Sequence, residues 1–575
     1  MDWLEALNRL LQPLIDFANE WIINIGPRIG GEQVAVMVIL LLGTGVYLTI
    51  RTGFVQVTRL GHGFGVTSGR YDDPDDPGDV SHFQALTTAL SATVGIGNIA
   101  GVAMAIHFGG PGALFWMWVT AFLGMATKYS EVTLAQRYRI EDERGTVAGG
   151  PMYYIEKGLG PKWKPMAVFF ALMLAFTAFL TGNAVQANTV ADQLGTAFGV
   201  PLWVTGAITA GVVAAVILGG IRRIGRVTAV LIPIMAAIYL AGALLIILMN
   251  IGEVPGAFRT IFTEAFNPQA GIAGVGAGVF IVTLMWGVRR GLFSNEAGQG
   301  SAPIAHAAAK TEEPVSEGVV ALLEPFIDTI VICSFTGLVI ILMGTYSERF
   351  PTEITLAGGD ITYTAQIEEN RYEGVGTPEA IVIFDGAHVE NGVGAPLVSW
   401  HEAPVNRLYV DEDQIQSFTG TVFPALGTAV SASGETLSSL YGDAVENAAP
   451  LTAAAFRKGL APLGDWGHLI VVFGVLLFGI STAISWSYYG DRCAHYLFGQ
   501  RALLPYKVFY LAAHFLGAVL PLAVVWALGD VLLAIVIWPN LIALILLAPT
   551  VVEETRSYFE RKPWVAVAAK RAGGG

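Results

Sequence analysis

The sequence predicts an all-α polytopic membrane protein of eleven transmembrane helices. They form a five-plus-five inverted repeat with two broken helices, carrying a β-rich extracytoplasmic insert. Three observations predict this. Of 575 residues, 54% are hydrophobic and 14% charged, more apolar and less charged than a typical soluble domain. The apolar residues gather into runs of about 20, the length that crosses roughly 30 Å of hydrocarbon. Two of these runs, five spans apart, are interrupted by glycines together with polar side chains.

Taken in order, the first segment is 1–30; its first 22 residues carry acids and lack a compact apolar core followed by a small-residue cleavage site, so no cleavable signal peptide is expected. Trp3, Leu7, Leu10, Leu14 and Phe17 recur at helical spacing and read as an amphipathic interfacial segment, which Pro13 would kink. Residues 31–81 hold an extra first span (33–50) and a cytoplasmic loop. Residues 82–250 form the first repeat, with spans at 84–106, 113–134, 165–194, 201–219 and 227–250. Residues 251–345 open the second repeat with spans at 273–308 and 317–344. After the insert at 346–464, residues 465–552 complete it with spans at 466–489, 504–527 and 529–551, and residues 553–575 are a tail.

Lys and Arg cluster in alternate loops: Arg137, Arg139, Lys162 and Lys164 after the third span, Arg222, Arg223 and Arg226 after the fifth, Arg492 and Arg501 after the ninth, and Arg561, Lys562, Lys570 and Arg571 in the tail. The positive-inside rule makes these loops cytoplasmic. With eleven spans, the N-terminus is then outside and the C-terminus inside a plasma membrane, the inner membrane of a bacterium.

The same parity places 346–464 outside. It holds 16 Asp and Glu against 5 Lys and Arg, so its net charge of -11 supplies most of the chain's -14. ITYTAQI, EAIVIFDGAHV and NRLYVDEDQI alternate and are β-branched, which predicts short strands. The insert reads as a tolerated loop insertion kept soluble by its acids; a lid, a site for an unknown partner, or a cation-attracting vestibule is the functional alternative. The two cysteines, Cys333 and Cys493, fall in or at the ends of spans and exclude a disulfide framework.

The second span contains ALTTALSATVGIGNIAGVAMAI and the seventh GLFSNEAGQGSAP. Glycines alone fit close helix packing, but here polar residues accompany them in both segments. Five is odd, so two five-helix halves that each begin with a broken helix are inserted with opposite orientation, the pattern of inverted-repeat transporters. Backbone groups freed by a break cannot face lipid, yet they can line a cavity. Half-helix N-termini suit a carboxylate, and freed carbonyls suit an ammonium group or a sodium ion. A zwitterion with Na+ satisfies both.

TVGIGNIAGVA, GGPMYYIEKGLG, GNAVQANTVADQ, GGIRRIGR and RRGLFSNEAGQGSAPIAHAAA resemble the alanine or glycine:cation symporter family, over essentially all eleven spans. That family is similar in fold to the LeuT-type transporters. The resemblance implies a secondary active transporter that moves a small neutral amino acid, alanine or glycine, into the cell with Na+ by alternating access. In that scheme the backbone of Thr93 accepts from the substrate ammonium, N–H groups at Ile96 and Gly97 hold the carboxylate, and Asn98 steadies the break or ligates a second ion. Phe293, Ser294 and Asn295 complete the pocket. The Na+ ligands implied are the carbonyls of Ser91 and Val94 and the hydroxyls of Ser481 and Thr482, hard oxygen donors. Asn183 and Gln186, on one helix face, are implied substrate contacts, and Trp486 a limit on pocket size. The insert at 346–464 departs from the family pattern.

Charges within spans are costly and therefore candidates for function. Glu296 and Arg290 read as a structural pair holding the second break, with proton coupling as the rival. Glu324 and Asp328 share a face at i and i+4, open to cross-helix partners or gating. His306 reads as a packed or hydrogen-bonded histidine. No HExxH, CxxC or nucleophile–base grouping appears, so no enzymatic chemistry and no nucleic-acid partner is expected; the partners are the amino acid and membrane lipid. A sensor with a transporter-like core, signalling through the insert, is the alternative function.

Overall fold

A computed structural model describes residues 25–573 except 30–31, 74, 142–145, 268–279, 358–360, 369–370 and 521. The expected amphipathic segment from Trp3 to Phe17 lies outside the described residues, as does the beginning of the span expected at 273–308.

The fold is mostly helical. In chain order the helices that position the site are α1 (Val36–Arg51), α2 (His82–Thr93), α3 (Ala100–Gly109) and α4 (Ala113–Arg137). Then come α5 (Lys164–Phe179), α6 (Val185–Phe198), α7 (Leu202–Ile217) and α8 (Gly220–Met249). The second half holds α9 (Phe280–Asn295), α10 (Ala302–His306), α11 (Pro314–Met343), α12 (Ala448–Leu460), α13 (Gly467–Phe498), α14 (Leu503–Val519) and α15 (Leu522–Arg561).

By length and composition, six described helices can cross a membrane, or seven if α2 and α3 count as one bent span. The sequence led us to expect eleven. Two of the others, α1 and α7, are shorter apolar helices of 16 residues each, and the seventh expected span is only partly described.

Local chemistry explains where the key elements begin and bend. Ser81 starts α2 with a reciprocal cap: its hydroxyl accepts from Gln84 N–H at 3.2 Å, and Gln84 Oε1 accepts from Ser81 N–H at 3.1 Å. Between α5 and α6, Leu180–Ala184 forms a π turn, and Phe326–Cys333 forms another inside α11. Such turns shift the face a helix presents and recur at functional sites. The one inside α11 turns Asp328 into the bundle.

The described residues of 350–444 carry twelve short strands in three antiparallel sheets. They enclose a separate apolar core of Ile354, Val398, Leu408, Phe418, Val422 and Leu440. This unit rests on the helices. His107 at the end of α3 bonds the His401 carbonyl through Nε2 at 3.0 Å, and Phe108 stacks on Trp286 of α9 beside Ala403 and Val445.

Candidate functional site

The first break bends α2 against the segment that follows it, Ile96–Gly109, by 63°. Asn98 shapes it. Its Oδ1 accepts from Gly95 N–H at 2.8 Å, replacing a lost helix bond, and its Nδ2 reaches outward. The carbonyl of Ile99 is met by Thr452 Oγ1 of α12 at 3.1 Å.

Gly95 is required here by close approach. A Cβ at that position would stand 2.5 Å from Thr482 Oγ1 of α13 and 3.5 Å from Gln186 Oε1 of α6. Thr482 Oγ1 also lies 3.1 Å from the Ser91 carbonyl and 3.3 Å from that of Ala92. Ser91 Oγ donates to the Ser481 carbonyl at 2.7 Å, whereas Ser481 Oγ turns back to Phe478 O on its own helix at 2.9 Å. Thr93 likewise back-bonds to Ala89 and Leu90 at 3.4 Å. Ser91, Val94, Ser481 and Thr482 are all buried. A cluster of hydroxyl and carbonyl oxygens therefore forms between the end of α2 and the middle of α13.

The second break runs through 296–301. Glu296 adopts a left-handed backbone (φ 55), which costs a side-chain-bearing residue about 1–3 kcal/mol. Its carboxylate is held at both oxygens, by Ser301 Oγ at 2.5 Å and by Trp486 Nε1 at 3.0 Å. Arg290 places its guanidinium over the rings of Trp286 and Phe293 at 5.3 and 5.6 Å. A second carboxylate, Glu131 of α4, accepts from Gly300 N–H at 3.1 Å and from Asn540 Nδ2, which also reaches the Gly298 carbonyl at 2.8 Å.

The two breaks meet at Asp328. Its Oδ1 accepts from Asn98 Nδ2 of the first break at 2.6 Å, and its Oδ2 from Ser294 Oγ of the second at 2.6 Å and Thr329 Oγ1 at 2.7 Å. Asn98 also contacts Ser294 Oγ at 3.2 Å. A Cβ on Gly97 would lie 3.1 Å from the Phe293 ring, so Gly97, Phe293 and Ser294 are neighbours. Ile96 and Asn295 are buried beside them, Asn295 bonding Thr329 Oγ1 at 3.2 Å.

Trp486 lies against Gly182 in the π turn, where a Cβ would stand 2.2 Å from the indole. Gln186 donates to Thr181 O at 3.1 Å, and its Oε1 is buried without a hydrogen-bond partner among the described residues. Asn183 faces away from this group. Its Nδ2 donates to Tyr510 O at 2.7 Å and its Oδ1 lies 2.7 Å from His514 Nδ1, both on α14. Packing of the π turn against α14, invisible in a three-residue spacing, separates Asn183 from Gln186.

A buried ionic chain lies beside the second break. Lys128 Nζ bonds Glu324 Oε1 at 2.9 Å, and Glu324 Oε2 lies 3.6 Å from His306 Nε2. His306 Nδ1 meets Glu317 at 2.5 Å, and Glu317 also bonds His82, which neighbours Asp72 at 3.9 Å. His306 is thus a hydrogen-bonded histidine. Lys128, Glu131, His82 and Glu317 were not singled out in the sequence, although a lysine and a glutamate inside TAFLGMATKYSEVTLA were the available signal.

A helical bundle with membrane-capable spans, two breaks and a polar buried crossing between them has the architecture of a polytopic transporter. Residues 17–369 and 404–568 match the model of the sodium:alanine symporter family. Similar curated proteins are the sodium/alanine symporter AgcS of Methanococcus maripaludis, 41% identical over 91% of this chain and 94% of its own, and the amino-acid carrier protein AlsT of Bacillus subtilis, 39% identical over 55% of this chain and 66% of its own. An uncharacterized transporter of Haemophilus influenzae is 37% identical over 92% of this chain and 94% of its own. The chain belongs to the sodium:alanine symporter family. It is a multi-pass sodium-coupled amino-acid transporter, not an enzyme. The family match resumes at 404, so the segment outside it, 370–403, is narrower than the insert expected to depart from the pattern.

Proposed function

We propose that this protein carries alanine or glycine into the cell with Na+ by alternating access, from a site where the two breaks cross. The observation that carries this reading is the Asp328 carboxylate joining Asn98 of one break to Ser294 of the other, with Gly95, Thr482 and Gln186 converging alongside. The bundle is read as eleven spans in the LeuT-like five-plus-five arrangement, N-terminus outside, with residues 346–464 external and the domain limits those given above.

In this reading the Thr93 backbone and the unbonded Gln186 Oε1 accept from the substrate ammonium. The backbone at Ile96 and Gly97 holds its carboxylate, and Phe293, Ser294, Asn295 and Asp328 close the opposite wall. Trp486, fixed by Glu296, limits the side chain to a methyl group or a hydrogen. Asn183 stands behind, anchoring the π turn to α14. Na+ is cargo, held by the carbonyls of Ser91 and Val94 and the hydroxyl of Thr482; Ser481 joins by rotating away from Phe478. Oxygen donors at this density suit a hard monovalent ion.

The energetics support coupling. A tenfold Na+ gradient supplies about 1.4 kcal/mol and 100 mV about 2.3 kcal/mol per charge, which together sustain roughly 500-fold accumulation of a zwitterion. The sensor alternative draws no support from relatives named as symporters, carriers and transporters. The test is uptake of labelled alanine into proteoliposomes, with Na+, Li+, K+ or H+ as the imposed gradient. Accumulation above the external concentration with Na+ alone is expected; binding without accumulation, or flux that stops at equilibrium, contradicts the proposal.

A further inference from the structure

Far from the crossing, where α8 and α14 begin and α13 ends, a cavity of about 290 Å³ is lined by Asp79, Arg222, Tyr488, Asp491, Arg492 and Lys507, with the glycines at 219 and 220. The charges of its described lining residues do not balance. The two carboxylates are already engaged: Asp79 with Arg222 at 3.2 Å and Val147 N–H at 3.0 Å, Asp491 with Arg492 Nε at 2.9 Å and Lys507 at 3.5 Å. Among the described lining residues three cations face two anions, and hydrogen-bond donors are left over. Among the described residues, Arg492 Nη1 and Tyr488 Oη are buried without a partner, on side chains that are themselves more than nine-tenths buried. A buried cationic donor without an acceptor is costly.

A second feature has the same sign. Gly220, Ile221 and Arg222 are the first turn of α8, a helix of 30 residues, and line the same cavity. The first N–H groups of a helix have no partner within it and carry partial positive charge, which favours an anion. A third feature concerns the source of that anion. The rim is apolar and open, Leu218 being 58% and neighbouring Leu504 64% exposed, and by the orientation proposed above it lies at the cytoplasmic surface of the membrane.

We infer that this cavity binds a phosphate group, supplied by the headgroup of an anionic phospholipid whose chains run down past Leu218 and Leu504. Arg492 and the first turn of α8 hold the phosphate oxygens, Tyr488 donates a further bond, and Lys507 and Arg222 add charge.

The experiment is native mass spectrometry and thermal unfolding of the full-length purified protein in detergent, titrated with phosphatidylglycerol, phosphatidylcholine or inorganic phosphate. Phosphatidylglycerol is expected to bind with saturation and raise the unfolding midpoint, and phosphatidylcholine to do neither. Arg492→Gln weakens that binding about tenfold or more, the worth of one charge-assisted bond, and Tyr488→Phe, which alters no other contact, weakens it several-fold. Arg137→Gln, removing an exposed basic side chain elsewhere, leaves it unchanged. Inorganic phosphate binding as tightly as the lipid, with the same loss in both cavity variants, supports the phosphate site and assigns its source to solution. Equal affinity in wild type and Tyr488→Phe, or an equal loss in Arg137→Gln, means diffuse attraction and overturns the inference. Neither readout measures uptake, so it stands or falls apart from the transport proposal.

Discussion

The two breaks solve the same problem in opposite ways. At 94–99 the interruption is tied by one neutral side chain, Asn98, and by two short turn bonds, from Asn98 N–H to the Gly95 carbonyl at 3.2 Å and from Ile99 N–H to the Ile96 carbonyl at 3.1 Å. At 296–301 the interruption is braced by buried carboxylates, Glu296 and Glu131, together with Asn540, Ser301 and Trp486. A lightly tied break leaves backbone groups for a ligand; a heavily braced one supplies a rigid wall. On the proposed reading, recognition is concentrated on the first break and the second is its support.

The largest effect that sharpens this contrast is expected at the joint between them. Asp328→Ala removes the acceptor for three donors, each worth about 1.5–3 kcal/mol to a charged partner. Alanine uptake in proteoliposomes should fall by about 100-fold or more, with the protein still monodisperse on size exclusion; retention of near-normal uptake breaks the claim that the crossing is the site.

Gly95→Ala comes next. The new methyl would meet Thr482 Oγ1 at 2.5 Å, so uptake should drop by about tenfold or more and stability fall by about 1–3 kcal/mol, the usual cost of overpacking. Glu296→Gln is expected to be milder. A glutamine oxygen keeps one donor of Ser301 and Trp486 and loses the other, lowering stability by about 1–2 kcal/mol, a few degrees in the unfolding midpoint. Uptake should survive across pH. A variant that loses the pH dependence of uptake but keeps its stability would make Glu296 a proton carrier and not a brace.

The smallest effect lies in the strand-bearing unit. In the insert, burial pushes His388 and His401 down to about 4 from 6.5, and neutral His388 Nε2 accepts from Val398 N–H at 2.9 Å. The unfolded chain binds these protons at higher pH than the folded one does. Stability from both groups is therefore complete above about 6.5 and is lost as pH falls toward 4. Limited proteolysis should show 346–464 becoming labile over that window before the helices do.

Much of this was readable from sequence, for physical reasons. The breaks announce themselves because glycine and polar side chains have no other place in an apolar run, and the strand-forming stretches of 346–464 because their alternation is local. Ser91 and Thr482 were named by motif, and they lie in contact. The joints were not legible. Asp328 stood out as a carboxylate in LLEPFIDTIV, but nothing in a linear pattern aims it at Asn98, 230 residues away. Lys128 pairs with Glu324 across 196 residues, and the π turns that turn Asp328 inward and Asn183 outward depend on tertiary packing.

The central claim is that Na+ and the amino acid share the crossing at the first break, and the Na+ dependence of alanine uptake by Thr482→Ala tests it most directly. Losing one oxygen ligand should raise the half-saturating Na+ concentration about tenfold or more, with the order in which competing amino acids inhibit uptake unchanged. Unaltered Na+ dependence, with the amino-acid order rearranged instead, would contradict the account.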